Sequence, residues 1–138
     1  MIVDTSAIVA IWRDEEAAAA LAAALVGSDQ NKMSAATLVE LRAVLRDPAA
    51  PEDERRLRAL LDSYEVEIVP FTEAQALLAG DAYRDFGKGS GHRARLNLGD
   101  CFSYALAAAT GEPLLFVGQD FAWTDVTPAL APPAAADQ

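Results

Sequence analysis

The stretch "MIVDTSAIVAIW", residues 1–12, decides the fold. Its β-type apolar residues at positions 2 and 3 predict a short buried strand. Asp4 follows this strand directly, and Thr5 or Ser6 is a suitable cap for a helix that continues to the end of the stretch. The pattern therefore predicts a strand-to-helix junction, with a carboxylate at the carboxyl end of the strand.

The rest of the chain alternates between patterns typical of strands and patterns typical of helices. Further strands are predicted at residues 32–33, 65–70 and 112–118. Helices are predicted at residues 14–26, 35–46, 51–64, 72–86 and 99–111. Such an alternation is typical of a parallel sheet covered by helices, so the sequence predicts an α/β fold.

Length and composition limit the class of protein. A chain of 138 residues that is 52% hydrophobic is long enough for one core and too short for two ordinary domains. We therefore expect a single domain over residues 1–127, with the Pro- and Ala-rich residues 128–138 as a flexible tail. No apolar stretch approaches the ~20 residues of a membrane span, so a cytoplasmic protein without membrane contact is expected. The single cysteine, Cys101, lies in an apolar helical run and is expected to be buried.

The formal net charge of −10 argues, taken alone, against a nucleic-acid partner, because polyanions bind mainly through Lys and Arg. Basic residues are nevertheless concentrated in the Gly-rich segment "GKGSGHRARLN", residues 87–97. Within this segment, which we expect to be flexible, Lys88, Arg93 and Arg95 are candidate contacts to substrate phosphate. The alternative interpretation, a solvated hinge, fits the sequence equally well.

Other residues with chemical potential have simpler interpretations. Trp12 and Trp123 are interpreted as core residues. No motif fixes the geometry of His92 and Ser103, so they are not interpreted as a nucleophile pair. A zinc site is poorly supported, because the chain has one His and one Cys.

Three acidic residues are predicted to meet at one edge of the sheet. Asp4 and Asp120 each follow a predicted strand, and ligands of open parallel sheets bind beyond the carboxyl ends of the strands. Asp100 begins a helix, where free N–H groups and the helix dipole favour an anion. Asp125, in "WTDV", is an alternative to Asp120 that we interpret as a turn residue.

Glu40 is a fourth candidate. Its neighbours at helical spacing, Ala36, Ala43 and Val44, are small or apolar, so its carboxylate is predicted to face protein rather than water. Carboxylates gathered at one edge need compensation by a cation or by protons. Oxygen-rich sites select hard cations, so Mg²⁺ or Mn²⁺ is the expected cofactor. Taken singly, each acid also fits an ordinary cap or surface position, and only their joint placement favours a site.

Four segments of the chain resemble, in order, the acidic motifs of the PIN-domain family, and within it the VapC toxins of bacterial VapBC toxin–antitoxin pairs. They are "IVDTSAIVAI", "SAATLVELRAVL", "LNLGDCFSYALA" and "EPLLFVGQDF". The resemblance covers nearly the whole chain and implies a twisted parallel sheet of four to five strands sandwiched by helices. It implies an acidic, metal-binding catalytic pocket made of Asp4, Glu40, Asp100 and Asp120, with Thr5 or Ser6 assisting. Many relatives carry Thr or Ser two residues before the fourth acid, whereas this chain has Gly118 there.

The resemblance also implies a function. This function is metal-dependent hydrolysis of phosphodiester bonds in structured RNA, either tRNA or ribosomal RNA. The implied partners are a second copy in a homodimer and a cognate VapB-type antitoxin. Two alternatives stay open on the sequence: a non-catalytic PIN-like interaction module, and a haloacid-dehalogenase-like phosphohydrolase with Asp4 as nucleophile. The second alternative lacks the acid expected two residues after Asp4, because Ser6 stands there.

Overall fold

The structure, a computed structural model, describes residues 1–131 and is built on one parallel sheet. The four strands are β1 (Ile2–Val3), β2 (Asn31–Ser34), β3 (Val66–Val69) and β4 (Leu114–Leu115). Their order is β3-β2-β1-β4, and every neighbouring pair is parallel. The predicted α/β fold with a helix-covered parallel sheet is confirmed. β4 is shorter than predicted, because the N–H of Val117 donates to the Ser6 hydroxyl instead of continuing the strand.

Within residues 1–131, six α-helices and one 3₁₀ helix surround this sheet. They are α1 (Thr5–Trp12), α2 (Ala18–Gly27), α3 (Ala35–Leu45), α4 (Asp53–Ser63), α5 (Glu73–Phe86), α6 (Leu98–Thr110) and the 3₁₀ helix Phe121–Trp123. Helix α2 begins later than predicted, because Asp14 has a φ of 52°, a left-handed conformation that no helix accommodates. Among residues 1–131, no helix combines the length and the apolar character that crossing a membrane requires.

The order of the strands reverses at β1. From β1 the chain passes to β2 and then β3 on one side, and it later returns to β4 on the other side. Ligands of open α/β sheets bind at such a reversal, beyond the carboxyl ends of the strands. Asp4 is the residue that follows β1, so it lies at this position.

Each face of the sheet carries its own core. Successive strand residues point to opposite faces, so Ile2 and Leu114 pack on one side while Val3 and Leu115 pack on the other. Helices α1 to α4 contribute apolar residues to the Val3 side, and α5 and α6 contribute to the Ile2 side. Cys101 of α6 is fully buried in the second core, as expected, and burial raises the pKa of its thiol to about 12.

The first residues of the predicted tail lie against the sheet. Pro128 forms a parallel bridge with Leu114, and the N–H of Ala129 donates to the carbonyl of Leu114 at 2.8 Å. These two residues thus extend the edge of the sheet, and the flexibility of the tail stays a prediction. The rest of the predicted tail from residue 132 to residue 138 lies outside the described residues, and the domain boundary at residue 127 stays a prediction.

Candidate active site

Asp4 caps helix α1. Its Oδ2 accepts hydrogen bonds from the Ser6 N–H at 3.0 Å and from the Ser6 hydroxyl at 2.7 Å, and its side chain is almost fully buried. The prediction that Thr5 or Ser6 is the cap was wrong by one or two residues, because Asp4 accepts the free N–H of Ser6 in the first turn. The acid is thereby fixed at the carboxyl end of β1.

Ser103 holds the second oxygen of Asp4. Its hydroxyl donates to Asp4 Oδ1 at 2.6 Å and lies 3.2 Å from the Thr37 hydroxyl, so helices α3 and α6 meet at this carboxylate. The sequence interpretation missed this role of Ser103. A helical spacing of three residues could have indicated it, because this spacing places Ser103 on the same face as Asp100 and Thr37 on the same face as Glu40.

This hydrogen bond leads to a stability prediction. Ser103→Ala is expected to lower the free energy of unfolding by about 1–3 kcal/mol, because it removes the buried donor to Asp4 Oδ1. Urea denaturation at neutral pH measures the effect. Ser63→Ala is the control: the exposed Ser63 hydroxyl bonds only the carbonyl of Leu60, so a change below about 0.5 kcal/mol is expected. Equal effects of the two substitutions would contradict the prediction.

Glu40 lies beside Asp4, half-buried on α3. Burial raises the pKa of Glu40 above its usual value, the Thr5 hydroxyl lowers it, and the charge of Asp4 raises it further. Although the Thr5 hydroxyl is near enough to act on this pKa, Thr5 Oγ1 is buried and makes no well-formed hydrogen bond with residues 1–131. The predicted reason for the burial of Glu40 was wrong, because Ala43 and Val44 are exposed and α3 buries Thr37 and Leu41 instead.

Gly99 makes room for the Glu40 carboxylate. A Cβ at Gly99 would overlap Oε2 and Cδ of Glu40, so only glycine leaves this space free. Gly99 is buried in the first turn of α6, immediately before Asp100. Because Gly99 has no side chain, the Glu40 carboxylate lies against the N-terminal turn that carries Asp100.

Asp100 belongs to a capping box at the start of α6. Its Oδ2 accepts the Asn97 N–H at 2.9 Å, and Asn97 Oδ1 accepts the Asp100 N–H at 2.8 Å. The pKa of Asp100 is raised to about 7, mainly by burial, although the hydrogen bond from Asn97 lowers it. The charges of Asp4, Glu40 and Asp120 raise it further. The other three predicted acids are therefore near enough to Asp100 for their charges to affect its pKa, and we call Asp4, Glu40, Asp100 and Asp120 the acidic group.

The charge of Asp120, and not that of Asp125, contributes to the raised pKa of Asp100. Asp120 is exposed and immediately precedes the 3₁₀ helix, and its charge contributes to the raised pKa of Asp100. Asp125 accepts a hydrogen bond from the Tyr104 hydroxyl at 2.7 Å. This contact agrees with the interpretation of Asp125 as a turn residue outside the acidic group.

The donor set of the acidic group suits a hard divalent cation. It consists of carboxylate oxygens with the buried hydroxyl of Thr5 nearby, which matches the preference of Mg²⁺ and Mn²⁺. Within residues 1–131, however, no three acidic, His or Cys side chains are arranged to hold one ion together. The carboxylates of Asp4 and Asp100 accept hydrogen bonds from Ser6, Ser103 and Asn97. The residues fit the cation by the chemistry of their donor atoms.

The basic segment 87–97 is closed at its base rather than freely flexible. The Lys88 N–H donates to the Leu96 carbonyl and the Leu96 N–H donates to the Phe86 carbonyl, both at 2.9 Å. This pairing contradicts the expected flexibility of the whole segment. The side chains of Lys88, Arg93 and Arg95 are exposed, and their contact with substrate phosphate stays a prediction.

The two tryptophans differ in their surroundings. Trp12 packs against the core of the Val3 side, in agreement with its interpretation as a core residue. Trp123 is 40% exposed, so its interpretation as a core residue was wrong. The guanidinium of Arg93 lies over the Trp123 ring, 3.8 Å from the ring centroid.

Comparisons with known proteins found a matching family, similar sequences and similar structures. The PIN domain family model matches residues 1–126. Ribonuclease VapC42 of Mycobacterium tuberculosis strain H37Rv is 54% identical over 129 residues, which span 94% of this chain and 98% of that protein. The crystal structure of M. tuberculosis VapC20, a sarcin-ricin loop cleaving toxin, matches with a TM-score of 0.69 and 17% identity over 91% of this chain and 95% of that one. A toxin–antitoxin complex from Klebsiella pneumoniae matches with a TM-score of 0.62 and 20% identity over 88% and 89% of the two chains.

Proposed function

The chain belongs to the PIN-domain family, and from this membership we propose that it is a metal-dependent endoribonuclease and the toxin of a toxin–antitoxin pair. The observation that carries the proposal is the buried Asp4 at the carboxyl end of β1, near enough to Asp100 that its charge, with those of Glu40 and Asp120, raises the pKa of Asp100. Such a group is unfavourable without compensation, because like charges oppose one another's ionisation. A relative named as a ribonuclease that is 54% identical supports the same activity.

In this proposal Asp4, Glu40, Asp100 and Asp120 hold Mg²⁺ or Mn²⁺. When bound, such an ion neutralises charge on the scissile phosphate and activates a water molecule. The hydroxyls of Ser6 and Ser103 orient the Asp4 carboxylate, since each donates to one of its oxygens. Thr5 adds a buried hydroxyl beside Glu40. No histidine base is required for this chemistry.

The proposed substrate is structured RNA, either tRNA or ribosomal RNA, whose loops offer unpaired phosphates and bases. Lys88, Arg93 and Arg95 are proposed to contact its phosphates, because they are the exposed cations of the segment that leads to Asp100. We further propose a cytoplasmic homodimer that binds a VapB-type antitoxin. The match to a toxin–antitoxin complex supports such a partner, and the formal net charge of −10 suits a basic segment of it.

The haloacid-dehalogenase-like alternative is not retained. In that reaction Asp4 would have to attack a phosphorus atom directly. That reaction also needs a second acid two residues after Asp4, and Ser6 stands there. The chain also belongs to a different family. The non-catalytic interaction module is an outcome that the following experiment distinguishes.

The proposal is tested by incubating the purified protein with total RNA and Mg²⁺ or Mn²⁺ and mapping the cleavage sites. We expect defined fragments that disappear with EDTA and with Asp4→Asn. Asp125→Asn is the matched control, because it removes an equal charge from an acid that bonds Tyr104 outside the acidic group. The same fragments in the Asp4→Asn sample would contradict the assignment of the site. No fragments from wild type with either metal would favour the interaction module.

A further inference from the structure

Arg93 and Trp123 form an exposed pair of a planar cation and an indole ring. The guanidinium carbon lies 3.8 Å from the ring centroid, and Trp123 is 40% exposed. The two residues come from different segments, since Arg93 belongs to the segment 87–97 and Trp123 ends the 3₁₀ helix. The exposed part of the Trp123 ring is accessible to a ligand.

The backbone on either side of Arg93 is held in place. The ring of His92 packs edge-on against Phe86, with centroids 4.9 Å apart, and His92 Nδ1 accepts the Ala94 N–H at 3.1 Å. Ala94 is fully buried. Arg93 therefore projects from an anchored turn, which lowers the entropy lost when its guanidinium contacts a ligand.

The pair is also close in the sequence to the acidic group. Trp123 ends the 3₁₀ helix that Asp120 immediately precedes. The charge of Asp120 acts on Asp100. Arg93 comes shortly before the capping box of Asn97 and Asp100 in the sequence. Both members of the pair are thus tied to residues of the acidic group.

We propose that Arg93 and Trp123 form a stacking platform for one unpaired RNA base beside the phosphate that the acidic group cuts. The inference rests on the proposed ribonuclease function and names how that site holds its substrate. Unpaired bases stack on aromatic rings and on guanidinium planes, and every base can do so. A stacking contact also suits a chain with a net charge of −10, since it adds affinity that does not depend on phosphate attraction.

The protein contains a natural control for this pair. Arg56 lies over the ring of Trp12 at 4.3 Å from the centroid, so the chain has a second contact of the same chemistry. Trp12 is only partly exposed because it packs against the core. It ends α1, whereas Asp4 caps the start of that helix, so the two are about 12 Å apart along its axis. The second pair is therefore structural.

Tryptophan fluorescence reads the contact directly, because these are the two tryptophans of the chain. Trp12→Phe leaves Trp123 as the fluorophore, and Trp123→Phe leaves Trp12. Each variant is titrated with a single-stranded RNA of about twelve nucleotides in EDTA, which prevents metal-dependent cutting. We expect saturable quenching of Trp123 and an unchanged signal from Trp12. Quenching of neither, or of Trp12 alone, would overturn the proposal.

Affinity measurements separate stacking from phosphate contact. Trp123→Ala is expected to weaken binding of this RNA on the order of tenfold, while Trp123→Phe keeps most of the affinity. An abasic ribose-phosphate strand of the same length should bind wild type and Trp123→Ala alike. Arg93→Ala should weaken binding, whereas the charge-matched Arg56→Ala should not. Equal losses for Arg93→Ala and Arg56→Ala, or an equal loss on the abasic strand, would overturn the proposal.

The failure of this inference and the failure of the proposed function give different results. If wild type cuts RNA and Trp123→Ala cuts and binds it equally well, the stacking platform is wrong and the ribonuclease stands. If RNA quenches Trp123 but is never cut with Mg²⁺ or Mn²⁺, the platform binds RNA on a protein that is no ribonuclease. A melting temperature within the wild-type range for each variant excludes an effect through unfolding.

Discussion

The Asp100→Asn variant is expected to fold, to gain stability at pH 8 and to lose RNA cleavage by about a hundredfold or more, the range found when one electrostatic group of a catalytic site is removed. Asparagine keeps an oxygen that can accept the Asn97 N–H, which Asp100 Oδ2 now accepts at 2.9 Å. The cap of α6 is therefore retained. The loss of cleavage then reports the missing charge rather than a change of fold.

The gain in stability follows from the pKa of Asp100. Burial, together with the charges of Asp4, Glu40 and Asp120, raises this pKa from 3.8 to about 7 in the folded protein. A carboxyl group whose pKa is raised on folding makes its full contribution to stability when the pH is below its pKa in the unfolded chain, 3.8. This contribution is lost as the pH rises through about 7, its pKa in the folded protein. At pH 8 the ionised group opposes folding, and asparagine removes the penalty. After a discount for partial exposure to solvent, the expected gain is roughly 1–2 kcal/mol.

Urea denaturation of both proteins at pH 8 and pH 5, without divalent cations, measures this gain. It should be larger at pH 8 than at pH 5, where Asp100 is already largely protonated in the folded state. Asp125→Asn, which removes a carboxylate outside the acidic group, should show no such dependence on pH. Mg²⁺ should raise the stability of wild type at pH 8 more than that of Asp100→Asn. An equal gain at both pH values would contradict the raised pKa.

The position of Asp4 could be predicted from the sequence, because short-range signals decide it. Two β-type apolar residues followed by polar residues and a helical pattern leave the chain few other arrangements. The alternation of elements then gives a parallel sheet, and the carboxyl end of β1 becomes the site. The capping residue was missed, because Asp4, Thr5 and Ser6 are all good caps and the choice depends on tertiary donors such as the Ser103 hydroxyl.

Glu40 was predicted correctly for a reason that the structure contradicts. The apolar pattern of α3 suggested that Ala43 and Val44 face the protein, yet both are exposed. The carboxylate is half-buried because α6 approaches α3 closely at Gly99, where a side chain is absent. Contacts between elements so far apart in the chain are not encoded in the periodicity of either helix.

The exposure of Trp123 could not be predicted from the sequence either. Large aromatic residues are usually buried, and composition offers no sign that this one is not. Its exposure results from the short 3₁₀ helix, which turns Phe121 into the core and leaves Trp123 at the surface under Arg93. The partner residue lies thirty positions earlier in the sequence, so only the fold brings the pair together.

Gly99→Ala is expected to give a folded protein that cleaves RNA about a hundredfold more slowly, a loss of the size found when one catalytic electrostatic group is removed. A Cβ at this position would overlap the Glu40 carboxylate, which is the mobile end of its side chain and can move aside. The backbone has no cause to change, because alanine is a better helix former than glycine by about 0.5–1 kcal/mol. Stability should therefore stay close to that of wild type while Glu40 leaves the acidic group.

Gly80→Ala is the matched control for this substitution. Gly80 lies within α5, and a Cβ there would meet no atom of residues 1–131 within 4 Å, so the variant should gain stability and keep full cleavage. A double-mutant cycle then identifies the cause, because Gly99→Ala should slow a Glu40→Ala protein no further. If Gly99→Ala cleaves RNA at the wild-type rate, the space beside Gly99 is not where Glu40 acts. If it slows the Glu40→Ala protein as strongly as wild type, the effect of Gly99 does not pass through Glu40.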